Sequence, residues 1–140
     1  MLRIRLLRDR KNMNKKIKKI TYLGLYTAAA ILLGYVESLI PIFAAVPGMK
    51  LGLANLAIIL VLYHFGPSEA FMVQIVRILS VGFLFGNLFS IAFSMAGGLL
   101  SLSVMILLKR GKAFGIVGIS VAGGVTHNIG QIMMASMLIK

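Results

Sequence analysis

The chain has 140 residues, 59% of them hydrophobic, with a mean hydropathy of +0.97 and a formal charge of +12. So apolar a chain of this size excludes a self-contained soluble domain and makes the bilayer the expected solvent. The lack of cysteine excludes disulfides, thiolate metal sites and cysteine nucleophiles. Nine of the fifteen Lys and Arg residues fall within 1–19, a distribution expected at the cytoplasmic end of a transmembrane helix and not in a nucleic-acid surface.

Residues 1–19 read as a basic cytoplasmic segment and 20–140 as one transmembrane domain. The first apolar run, about 20–40, is longer than a signal-peptide core, contains Glu37 and precedes further spans, so a retained helix is expected. Ala30 and Gly34 form a small-xxx-small pair on it, which serves either internal packing or a partner subunit. A turn with Pro41, Pro47 and Gly48 leads to a second run at about 51–65. Its roughly 15 residues give about 22 Å of helix against ~30 Å of hydrocarbon, too short to span unaided. Either it starts earlier, near Val46, or the 41–50 loop dips into the protein, where irregular backbone is tolerated around a cavity.

The third run, about 68–86, opens at Pro67-Ser68-Glu69, a good helix start. The fourth, about 88–108, carries Ser90, Ser94, Gly97 and Ser101 on one face and ends in Lys109-Arg110-Gly111-Lys112. The fifth, about 113–139, repeats Gly118, Ala122, Thr126 and Gly130 every four residues. The expected fold is therefore an all-α polytopic membrane helix bundle with five transmembrane segments. A cytoplasmic N-terminus puts 41–50 outside, 64–67 inside, 86–87 outside and the 109–112 cluster inside, as its charge requires. The chain stops at Lys140 directly after an apolar run, from which a longer parent protein with a further helix is expected.

Polar residues within the apolar runs carry the functional reading. Arg77 lies mid-way through the third run, and its guanidinium cannot readily be neutralised by deprotonation. It must face a protein interior, a counter-ion or a wet cavity. The chain has three carboxylates, Asp9, Glu37 and Glu69. Glu37 is placed to pair with Arg77 or Lys50, and Glu69 reads as a helix-start charge. Gln74 shares a helix face with Arg77, and Lys50 and Asn55 flank the start of the second run. His127, Asn128 and Gln131 crowd one turn of the fifth, with His127 and Gln131 on a common face that Ser120 and Gly124 extend. The candidate ligand-binding set is thus Glu37, Lys50, Asn55, Gln74, Arg77, His127, Asn128 and Gln131, converging on one wet pocket. The competing reading is a self-satisfied network around a Glu37–Arg77 pair.

No catalytic residues, metal or cofactor are expected. Two histidines and three acids at no motif spacing make a poor metal site. There is no phosphate-binding Gly-x-x-x-x-Gly-Lys-Ser/Thr loop. No Asp-rich pair is present to hold magnesium and a diphosphate.

Several of these runs resemble a known family. Glu37-Ser-Leu-Ile-Pro41, Pro47-Gly-Met-Lys-Leu-Gly-Leu-Ala-Asn55, Arg77, Ala96-Gly-Gly-Leu-Leu100 and Val121-Ala-Gly-Gly-Val-Thr-His-Asn-Ile-Gly-Gln131 are similar to the Gx transporter family. Many of its members are called heptaprenyl diphosphate synthase component I. The likeness covers about residues 15–140 and extends to substrate-binding S components of energy-coupling-factor (ECF) transporters. It implies six helices in the full fold, a bacterial cytoplasmic membrane location and a small-molecule substrate. It also implies docking of a T component, driven by ATPase subunits, through Ala30 and Gly34, with loop 41–50 as a lid. Two other readings stand beside it: a non-catalytic membrane component meeting a catalytic prenyl synthase subunit, and a structural subunit of a membrane redox complex. Besides membrane lipid, those are the expected partners.

Overall fold

The computed structural model describes residues 1–40 and 53–139, so the expected 41–50 loop and Lys50 lie outside the described residues. Among those residues there are five helices and no strand: α1 (Leu2–Leu39), α2 (Leu53–His64), α3 (Pro67–Phe85), α4 (Leu88–Gly111) and α5 (Ile116–Leu138). Three of them, α1, α3 and α4, are long and apolar enough to cross a membrane. At 12 residues α2 is short, as expected. Its 23 residues give α5 the length, but His127, Asn128 and Gln131 dilute its apolar character.

The helix ends follow local chemistry. Gly66 stands before α3 at φ 114°, a left-handed value that favours glycine, and Pro67 opens the helix. At the start of α4 the Asn87 side chain accepts a hydrogen bond from the Ser90 N–H at 2.8 Å. Lys109 and Arg110 extend α4 beyond the expected end at 108, favoured there by the helix dipole. The larger difference is in α1, which runs unbroken from Leu2 and through the boundary expected at residue 20. Residues 2–19 hold no Gly or Pro and are rich in Leu, Lys and Arg, all good helix formers. This stretch is exposed throughout and is tied to the bundle by a Lys19–Glu69 ion pair.

Helices α2, α3, α4 and α5 close a ring in which α4 and α5 meet most extensively and α2 and α5 least, while α1 packs on α2 and α3. The levels of the ring can be read from its contacts. Lys109 Nζ donates to the Leu62 carbonyl, and the Tyr26 ring stacks on His64. These contacts align α1, α2 and α4 at the end where α3 begins. At about 1.5 Å per residue, Glu37, Leu53 and Arg77 then share a level roughly 15–17 Å from that end. Leu53 of α2 therefore lies about half of a ~30 Å span away from that end.

That level divides the interior. Below it lies an apolar core of Ala30, Ala57, Ile58, Ile59, Val61, Leu62, Ala70, Val73, Leu102, Met105 and Ile119. Interleaved with the upper part of this core and above it are the buried polar residues Glu37, Asn55, Gln74, Arg77, Ser94, Ser101, His127 and Gln131.

Candidate functional site

The described members of the expected set are spread over several helices, and no single cleft among the described residues is lined by all of them. Successive glycines on α4 separate two of the groups. Gly98 faces α3, where an added Cβ would lie 2.3 Å from Gln74 Nε2. Gly97 faces α5, where an added Cβ would lie 2.5 Å from the His127 carbonyl oxygen and 3.0 Å from Gln131 Cγ. Gln74 and Arg77 thus pack on one side of α4, and His127 and Gln131 on the next. The i, i+4 face shared by His127 and Gln131 holds, and it is buried.

Arg77 is 5% exposed, and its Nε and Nη2 are buried without a hydrogen-bond partner in the protein. The carboxylate of Glu37 acts electrostatically on it. Glu37 accepts a hydrogen bond from the Leu53 N–H at 3.2 Å, and its carboxylate suits the positive end of α2. The space beside Arg77, walled by Gly34, Ile78, Val81, Gly82 and Ser94, measures about 10 Å³. Among the described residues that is space on the scale of one water molecule.

Asn55 takes a structural place. Its Nδ2 donates to Ser101 Oγ at 3.3 Å, and Ser101 Oγ donates to the Gly123 carbonyl at 2.7 Å. This relay ties α2, α4 and α5 together. Ala30 and Gly34 are also internal. Ala30 belongs to the core, and a Cβ on Gly34 would stand 3.2 Å from Val81 of α3. Their smallness serves the approach of α1 to its own bundle. On α5 the buried row is Ile119, Gly123, His127, Gly130 and Gln131, and not the Gly118–Ala122–Thr126–Gly130 ladder. Met105 and Ser101 press against Gly123, where a Cβ would meet Met105 Sδ at 2.7 Å.

Asn128 separates from His127 and Gln131. Adjacent helical residues are about 100° apart, so Asn128 turns toward α2 in line with Gly124 and Ser120. These three, with Val121 and Val125, form one wall of an open cleft of about 360 Å³, and Leu53 and Leu56 of α2 form the other. Asn128 Oδ1 is buried without a hydrogen-bond partner in the protein. Val121 and Val125 are exposed along the rim. The cleft thus offers a long apolar wall with a polar stripe of Ser120 and Asn128 along it, beside the start of α2. An amphiphile with a small polar group fits such a lining.

The sequence contained a signal for this cleft. Ser120, Gly124 and Asn128 recur every four residues. The contributions of Leu53 and Leu56 carried no such signal.

Residues 26–140 match the profile of the family described as heptaprenyl diphosphate synthase component I, and the chain belongs to that family. No curated protein and no solved structure gives a significant match.

Proposed function

We propose, from this family membership and the α2–α5 cleft, that the protein is a membrane-embedded binding component for a small amphiphilic molecule, not itself a catalyst. The observation that carries the reading is the open cleft of about 360 Å³ walled by Leu53, Leu56, Ser120, Val121, Gly124, Val125 and Asn128. The apolar part of the ligand lies along Leu56, Val121 and Val125, and its polar part meets Asn128 and Ser120. The Arg77–Glu37 pair supports the bundle behind it, since the space beside Arg77 among the described residues is on the scale of one water molecule.

In this reading the chain is a multi-pass protein of a bacterial cytoplasmic membrane, with its basic N-terminus inside. Two settings are open to it. One is uptake or exchange of the molecule, with a T-like membrane subunit and ATPases as partners. The other is a non-catalytic membrane component beside a catalytic prenyl synthase, which the family description favours. The second setting places the active site on the partner, because this chain has one Asp and no Asp-rich pair.

The test is mass spectrometry of small molecules that co-purify with the protein and with Asn128→Leu. An amphiphile carried by the parent and lost from an equally folded variant supports the proposal. Identical bound species in both remove it. Capture of a prenyl synthase, or of a T-like subunit with ATPases, on the tagged protein separates the two settings.

A further inference from the structure

A second cleft, of about 350 Å³, lies at the opposite level of the bundle, where α2 and α4 end and α3 begins. Its lining is Pro67, Ile106, Lys109, Arg110 and Lys112. Three of these five residues are cations and none is an acid. The nearest acid in sequence, Glu69, lines the groove between α1 and α3 instead and is engaged by Lys19. The attraction of basic residues to the cytoplasmic side accounts for cations at this end. It does not account for three of them walling one cleft.

The cations are differently held. Lys109 Nζ donates to the Leu62 carbonyl and lies 4.8 Å from the centre of the Tyr63 ring, so its charge is fixed at the cleft wall. Arg110 and Lys112 are exposed and retain their donors. Lys112 caps α4 at φ 52°, a left-handed position where glycine is the less strained residue. A charged side chain stands there nonetheless.

We propose that this cleft binds a phosphate group, with Arg110 offering paired N–H donors and Lys109 and Lys112 supplying point charges. The group is either the headgroup of an anionic lipid or a free phosphate or diphosphate. This site is separate from the Asn128 cleft, and its failure would leave that reading untouched.

The full chain in a neutral detergent is titrated with pyrophosphate while thermal unfolding is followed, with sulfate at matched ionic strength as the control. Native mass spectrometry in parallel counts retained phosphatidylglycerol and phosphatidylcholine. The key variant is R110Q/K112Q, whose two residues are exposed and leave the core intact. K15Q/K16Q removes the same charge from the exposed part of α1. At about 1 kcal/mol per cation near a membrane surface, the first variant weakens binding by about 30-fold and the second leaves it unchanged. Saturable stabilisation by pyrophosphate that R110Q/K112Q loses identifies a free-phosphate site. Selective retention of phosphatidylglycerol, lost in the same variant without a pyrophosphate effect, identifies a headgroup site. Equal losses in both variants, or no binding that R110Q/K112Q weakens, overturn the proposal.

Discussion

Gly97 of α4 and Gly130 of α5 meet backbone to backbone: a Cβ on Gly130 would stand 2.8 Å from the Gly97 Cα and 3.0 Å from the Ala96 carbonyl oxygen. Neither neighbour is the end of a flexible side chain, so neither can yield. This contact sets how closely the two most intimately packed helices approach, and with it where Asn128 faces. Gly130→Ala should therefore lower stability by about 1–3 kcal/mol through overpacking. Gly24 is a contrast, with no atom within 4 Å of an added Cβ. Gly24→Ala should stabilise α1 by up to about 1 kcal/mol, since alanine is the better helix former. Thermal unfolding in detergent measures both. Equal effects at the two positions would contradict the packing described.

Glu37 and Arg77 should be coupled, since the Glu37 carboxylate acts on the buried guanidinium. Removing Arg77 leaves the buried Glu37 carboxylate without its compensating charge, and the converse holds for Arg77. Arg77→Gln and Glu37→Gln should each destabilise the protein, while the double variant costs less than their sum. The coupling should fall within about 0.5–3 kcal/mol. Additive losses in a double-mutant cycle would show that the two charges are independent. Because the space beside Arg77 is so small, the amphiphile retained by Arg77→Gln should match the parent for each folded molecule.

The chain has no native cysteine, which makes its orientation directly testable. An added Cβ at Gly111 meets nothing within 4 Å, and Leu88 at the other end of α4 is exposed. In cysteine-accessibility labelling, Gly111→Cys should react only after the membrane is made permeable, and Leu88→Cys should react from outside. The reverse pattern would invert the topology.

The sequence by itself determined the helices and the character of each. Apolar runs bounded by Pro, Gly and charged clusters located α2 to α5 within a few residues, because those boundaries rest on local chemistry: a proline start at Pro67, an Asn87 cap, a basic end at Lys109. It also marked Arg77 as interior, since an unneutralisable cation cannot face lipid. Helix α1 continues through the basic segment 1–19, because a charge-based boundary is not a break in helix propensity. Tertiary structure alone decided which polar residues meet. Residues 127 and 128 differ by one position and by about 100° around the helix, and the turn of α5 on Gly97 sends His127 to α4 and Asn128 to the cleft. Spacing shows which residues share a face, but not what that face will touch. The same limit hid the pairing of Asn55 with Ser101, 46 positions apart, and the separation of Arg77 from the cleft. Those depend on the distances between helix backbones, which only packing glycines against their neighbours establishes.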